Sequence, residues 1–424
     1  MTFLESDAGS TLSAPALVGE DGPRVFRAGF IPLVDASVLI AAAEFGFAAR
    51  EGLAIDLVKD VSWANIRDRL AFRQFDIAHM LSPMPVASML GLGSNPSPTI
   101  APFSLGRGGN AITLSIRLFA RMQETGLLGP QEDALANARA LAAVLKSLRE
   151  RGEAVPTFGV TYPFSSHHYE MRYWLAAGGI DPDRDVKLVV VPPPLTSDAL
   201  AAGAIDGFCV GAPWNMVASA RGVGRIVAAK QDIWPSAPEK VLGLRPDFAE
   251  KHREHVLRLL VALDAAARWC DDRANHTALA EVLAEPRYLS TPAELLRHVL
   301  SGEFGLDDQG NRRMIPDYIG FHAGHANYPR PSQALWIYSQ MIRWGQTSFS
   351  HAGLDAVLSA YRPDLYRAAL GDQAPDTTQD LRAEGMEADD GFMDGHVFNP
   401  ADIPAYVAAF PVRADTGLSF DDES

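Results

Sequence analysis

His167 and His168 stand side by side, and His322 and His325 are spaced three apart. Adjacent residues point to different sides of a helix or strand, so the first pair is ill placed to share a metal. The second pair has helical spacing, but Pro329 and the Gly and Asn around it favour a loop and a structural role. Cys209 and Cys270 are the only cysteines and give neither a disulfide framework nor metal-ligand spacing. The glycine run at 106–109 does not follow G-x-G-x-x-G, and no G-x-S-x-G, H-E-x-x-H, Walker A or C-x-x-C motif occurs. These residues offer no catalytic or metal-binding motif, and no cofactor is implied.

The elements that would position a site alternate in type. Residues 25–31, 53–58 and 75–80 read as strands, and 36–47 and 63–72 as the helices between them. Ser82 and Pro83 look like the cap and first turn of the next helix. A charged, Ala- and Leu-rich helix at 131–151 leads into a second series, with strands at 157–160, 187–191 and 206–210. Its helices fall at 169–177, 195–202 and 214–220. Such a rhythm argues for an α/β fold of two lobes, each a parallel sheet covered by helices, with a ligand cleft near strand ends and helix N-termini. Beyond residue 249 the pattern turns helical. Helices are expected at 257–269 and 332–344, the second burying Leu335, Tyr338, Met341 and Ile342, and a polar acidic loop at 369–395.

The chain has 424 residues, 47% of them apolar, and a formal net charge of -15. That balance disfavours direct binding to nucleic acid, which normally needs a basic face. No apolar run is long enough to cross a bilayer. Residues 1–23 carry Glu5, Asp7, Glu20 and Asp21 with no Lys or Arg, unlike a secretory signal. The expectation is a cytoplasmic address.

Several segments, taken in order, carry a resemblance. They are GFIPLVDASVLIAAAEFGF, VSWANIRDRLA, FDIAHMLSPMPVASMLG, GGNAITLS, HHYEMRYWLAAGGIDP, IDGFCVGAPWN, QDIW, PEKVLG and YPRPSQALWIYSQMIRWG. Over roughly residues 25–410 the chain resembles the NrtA/CmpA nitrate/bicarbonate-binding family of ABC-transporter receptors and its cytosolic NasS-type nitrate-sensor relatives. The resemblance implies a two-lobed periplasmic-binding-protein-like fold of type II, with extra C-terminal helices. Residues 24–110 plus 230–410 would form lobe 1 and 111–229 lobe 2, with a disordered segment at 1–23 and an acidic tail at 411–424.

It also implies a ligand set of Trp63, Asn110, His167, Lys240, Pro83 and Gly211. Asn110 stands where transport receptors usually have Gln, which shortens the donor by one methylene. Without the resemblance each residue has a plain reading: Trp63 as packing, Asn110 as a turn residue, His167 as a capping or surface histidine, Lys240 as a solvated loop lysine. The chemistry is nonetheless apt. Nitrate is a flat, weakly basic monoanion that only accepts hydrogen bonds, so its pocket needs donors, about one positive charge, and no unpaired carboxylate. Lys240 can supply the charge, Asn110 and His167 can donate, and Trp63 can cover the planar face or donate from its indole. A calcium-assisted carbonate site is disfavoured, because Lys240 would repel the cation and Ala212 stands where a Glu is frequent.

The expected function is a nitrate or nitrite sensor whose lobes close on the anion and release an RNA-binding antiterminator partner of the NasT type. Two alternatives remain. One is the solute-binding receptor of a nitrate ABC transporter. The other is an enzyme like those that make the thiamine pyrimidine, although their cysteine-rich motif is absent.

Overall fold

A computed structural model describes residues 23–414 except 96, 130–132 and 388. All but residue 23 of the expected disordered segment at 1–23 and most of the acidic tail therefore lie outside the described residues, as do 131 and 132 of the expected helix at 131–151.

Among the described residues, thirteen strands run in order β1 (Arg24–Phe30), β2 (Leu53–Lys59), β3 (Ile77–Leu81), β4 (Ile100–Gly108), β5 (Asn110–Ser115), β6 (Thr157–Val160), β7 (Lys187–Val190), β8 (Gly207–Gly211), β9 (Gly224–Ala229), β10 (Pro238–Leu244), β11 (Glu303–Gly305), β12 (Arg312–Met314) and β13 (Ile319–Gly320). They build a six-stranded sheet in the order β13-β4-β10-β3-β1-β2 and a five-stranded sheet in the order β7-β6-β8-β5-β9; β11 and β12 pair separately. The βαβ segments pair in parallel as expected, β1 with β2 and β3, and β6 with β7 and β8. The expectation of wholly parallel sheets needs correction. Strands β4, β10 and β13 pair antiparallel in the first sheet, and β5 runs antiparallel to β8 in the second. Strands β4, β5 and β10 flank the chain's passages between the sheets and β13 comes late in the chain, so the βαβ rhythm does not contain them.

The chain passes from the first sheet to the second at Gly108 and Gly109 and returns through residues 230–237. Both glycines have positive φ, and a Cβ on Gly108 would lie 2.2 Å from the Tyr318 carbonyl oxygen. The glycine run is thus a crossover pressed against another backbone, a conformation closed to other residues.

The 36–47 helix is observed as Ser37–Glu44, broken at Gly46 with φ +76 before Phe47–Arg50. Ser82 occupies a cap position, but its hydroxyl donates to the Pro238 carbonyl instead of capping. The late helices appear as Arg253–Asp271 and Pro331–Arg343, and the second buries every one of its residues, including Leu335, Tyr338, Met341 and Ile342. Among the described residues of the 369–395 segment, the end of the helix Pro363–Leu370 is followed by short 3-10 turns, and Glu384 is buried there against Arg330 and Ser332. Among the described residues no helix is long and apolar enough to cross a membrane.

Candidate functional site

Between the two sheets lies a group of charged side chains almost wholly removed from solvent. Ser62 caps the helix Trp63–Ala71 by accepting from the Asn65 N–H, which seats Trp63 at its first position. Ser165 likewise caps Ser166–Ala177 by accepting from the His168 N–H. On that helix His167 and Glu170 are three apart and share a face. His168 turns away and accepts from Arg172 Nε at 2.8 Å. The two adjacent histidines therefore serve different surroundings, as their spacing implies.

Lys240 is the centre of the group. Its Nζ lies 2.8 Å from Asp35 Oδ2, also bonds Glu239, and sits 5.6 Å from the Trp63 ring centroid. Glu239 and Lys240 are neighbours on β10, where strand alternation would send them to opposite faces. Register shifts against β4 on both sides of Lys240 mark a bulge that lets both side chains reach the same space. Lys230, in the return crossover, bonds Glu170 at 2.7 Å and Glu239 at 2.5 Å. Asn110 Nδ2 donates to Glu170 at 3.0 Å and to Glu239 at 2.5 Å. His79 Nε2 is 2.9 Å from Asp35, off the line of a good hydrogen bond, and its ring lies 5.4 Å from Trp63.

Five of the predicted residues gather here, and Gly211 explains how the sheets come so close. A Cβ on it would sit 3.2 Å from Asp35 Oδ2 and 3.3 Å from Asn110 Oδ1. Pro83 is the exception. It opens the helix Pro83–Met89 and flanks the group through Ser82, whose N–H donates to the Glu239 carbonyl at 3.0 Å.

The plain readings of Lys240 as a solvated loop residue and of His167 as a surface histidine do not survive, since both are fully buried. The expected site, with about one positive charge and no unpaired carboxylate, is more heavily charged in the structure. Asp35, Glu170 and Glu239 face Lys230 and Lys240, three carboxylates against two ammonium groups. Burial disfavours every charge here, and neighbours decide which survive. Burial opposes charging of Lys240, but Asp35 and Glu239 outweigh it and raise its pKa. Burial would raise Asp35 and Glu239, yet the lysines hold both low. Glu170 is the carboxylate that burial wins over, and its pKa is raised. Burial pushes His167 down to about 3, so it is neutral.

Five buried polar atoms in this group have no hydrogen-bond partner among the described residues: Asp35 Oδ1 and His79 Nε2, which face each other, and Trp63 Nε1, Asn110 Oδ1 and His167 Nε2. His167 Nδ1 is engaged by the Thr161 hydroxyl at 3.0 Å, which leaves Nε2 as the nitrogen facing the cleft, 3.5 Å from Glu239. Such atoms are costly to bury unless something pairs with them. An indole donor, an imidazole and an amide on three separate elements thus converge where a small polar ligand could be gripped by both lobes.

The model of the NMT1-like family matches residues 20–284. The chain belongs to the NMT1-like family. It is 33% identical to the nitrate/nitrite binding protein NrtA of Synechococcus elongatus, covering 96% of this chain and 92% of that one. It is 31% identical to the bicarbonate-binding protein CmpA of a Synechococcus strain, covering 92% and 87%. It also matches the nitrate import ATP-binding protein NrtC of Synechocystis at 36% identity over 91% of this chain, but spans only 55% of that protein. In three dimensions it superposes on the periplasmic nitrate-binding protein NrtA from Synechocystis with a TM-score of 0.81 at 28% identity, covering 92% of this chain and 99% of that one. The architecture is therefore that of the periplasmic binding proteins in this family.

Sequence reasoning passed over Asp35, His79, Glu170, Lys230 and Glu239. Glu170 could have been found from its three-residue spacing to His167, and Glu239 from its place beside Lys240. Asp35, in the turn after β1, and His79, in the middle of β3, look like ordinary residues until the sheets are brought together.

Proposed function

We propose that the protein binds nitrate or nitrite in the cleft between its sheets, without catalysing a reaction on it. The observation that carries this reading is the convergence of Trp63 Nε1, His167 Nε2 and the Asn110 amide beside Lys240, all buried. The first two can be hydrogen-bond donors to an oxyanion, and Lys240 supplies the compensating charge. Relatives that are nitrate/nitrite binding proteins, similar along nearly the whole chain, support the same ligand. Calorimetric titration with nitrate, nitrite and bicarbonate tests it, and failure of both nitrogen oxyanions to bind would end it.

In its finer form the proposal is a cytoplasmic sensor. Anion-driven closure would release an RNA-binding antiterminator of the NasT type, because the closed form binds the anion better and the partner worse. The resemblance to cytosolic nitrate sensors motivates this reading. Pull-down of the antiterminator with and without nitrate tests it: association undiminished at saturating nitrate and nitrite would refute the release mechanism. A second reading, the receptor of a nitrate ABC transporter, is favoured by the similarity to the periplasmic NrtA of Synechocystis. Fractionation of cells separates the two, since a receptor is found outside the cytoplasmic membrane.

A further inference from the structure

Both crossover segments also border a cavity that the oxyanion site does not use. It measures about 380 Å³ and is lined by Arg107, just before Gly108, by Gln231 and Ser236 of the return crossover, and by His325, Arg330 and Asp389. An adjoining recess shares Arg107, Ser236, His325 and Arg330 and takes in Ser104. Ser104 and Arg330 are 4% and 7% exposed, and Ser104 Oγ and Arg330 Nε have no hydrogen-bond partner among the described residues. Arg330 spends its Nη1 on Glu384 and keeps Nε free.

Arg107 is the distinctive wall. It has no ion-pair partner among the described residues, whereas Arg330 and Arg382 both face Glu384. Two glycines clear the space its side chain occupies: a Cβ on Gly324 would lie 3.1 Å from its Nη1, and one on Gly320 would lie 3.4 Å from its Nε. Asp389, also without an ion-pair partner among the described residues, lines the same cavity. An unpaired guanidinium thus shares one polar cavity of ligand size with two carboxylates that have no ion-pair partner among the described residues, Asp389 and Asp317. A simple anion would satisfy the guanidinium and be repelled by the carboxylates.

We infer that this cavity is a second ligand site, for a compact zwitterion of the α-amino-acid type, its carboxylate on Arg107 and its ammonium toward Asp389. Arg107 offers the planar fork that suits a carboxylate, and Ser104 Oγ and Arg330 Nε provide further polar partners. Because Arg107 adjoins one crossover and Gln231 belongs to the other, a ligand here would lie against both segments that join the two sheets.

The test is a thermal-shift screen of the twenty common amino acids, each beside its α-keto acid and its decarboxylated amine, followed by calorimetry. At least one amino acid is expected to raise the melting temperature while its keto acid and amine do not. Arg107→Ala and the exposed-site variant Asp389→Asn are each expected to weaken that binding about tenfold or more, with nitrate binding retained as the check of folding. No response to any amino acid would overturn the inference. So would a keto acid binding as tightly as its amino acid, or unchanged affinity in both variants.

Discussion

At the scale of single residues, the candidate cleft is a problem in charge. Lys240 already has Asp35 and Glu239 against it, so an arriving anion meets a site that is negative when all three carboxylates are ionised. The carboxylate best able to relieve this is Glu170, whose pKa burial has raised. An anion nearby raises it further, so binding takes up a proton and the affinity for nitrate increases as pH falls. The slope is at most about tenfold per pH unit. Calorimetry across neutral to mildly acidic pH checks this, and Glu170→Gln should flatten the dependence while leaving an anion site behind. Lys240→Ala is expected to weaken nitrate at least about tenfold, since a charge-assisted bond is worth roughly 1.5–3 kcal/mol. It also strands Asp35, while Glu239 keeps Lys230, so a loss of thermal stability should accompany the loss of affinity.

At the scale of elements, the site depends on how two helices begin and one strand bulges. Ser165 caps the helix that carries His167 and Glu170, and its hydroxyl also donates to the Tyr162 carbonyl at 2.6 Å. Ser165→Ala should cost about 1 kcal/mol of stability, read from urea unfolding, and should loosen the ligand as the first turn frays. Most strands and helices of the two βαβ series were legible in the sequence because their apolar spacing is local. Strands β4, β5, β9 and β10 were not, although they hold Asn110, Glu239 and Lys240. Their partners are distant in sequence, Lys240 opposite Leu81 and Asn110 opposite Gly211, and no local period records such pairing. The bulge that turns Glu239 and Lys240 into one space is likewise a property of the pairing with β4.

At the scale of the whole molecule, acid stability depends on buried histidines. Burial brings His167 down from 6.5 to about 3, and burial with the nearby Arg172 brings His168 down from 6.5 to about 4. The unfolded chain takes up these protons first, so stability present above pH 6.5 drains as pH falls toward those values. Near pH 5 the loss is about 2 kcal/mol per histidine. A melting temperature that did not decline between neutral pH and pH 5 would contradict this. His168 Nδ1 faces the Pro163 carbonyl at 2.7 Å while Nε2 accepts from Arg172, which holds the ring in its neutral form. His168→Gln should therefore make the acid decline shallower. Nitrate binding should also compact the molecule measurably in small-angle scattering, since donors on both lobes must meet one ligand.

The absence of hydrolytic, phosphate-cradling and metal motifs and the two βαβ series were readable from residue types and short-range spacing. So was the pairing of Trp63, Asn110, His167 and Lys240 as candidates, once the segments were recognised as family-like. Only the tertiary structure decided that Lys240 is neutralised by Asp35 and Glu239, that Glu170 and Lys230 join them, and that Arg107 is left unpaired beside the crossovers. Charge compensation in a buried site depends on distances between segments far apart in the chain. Spacing along a sequence carries no record of those distances, and burial multiplies their effect.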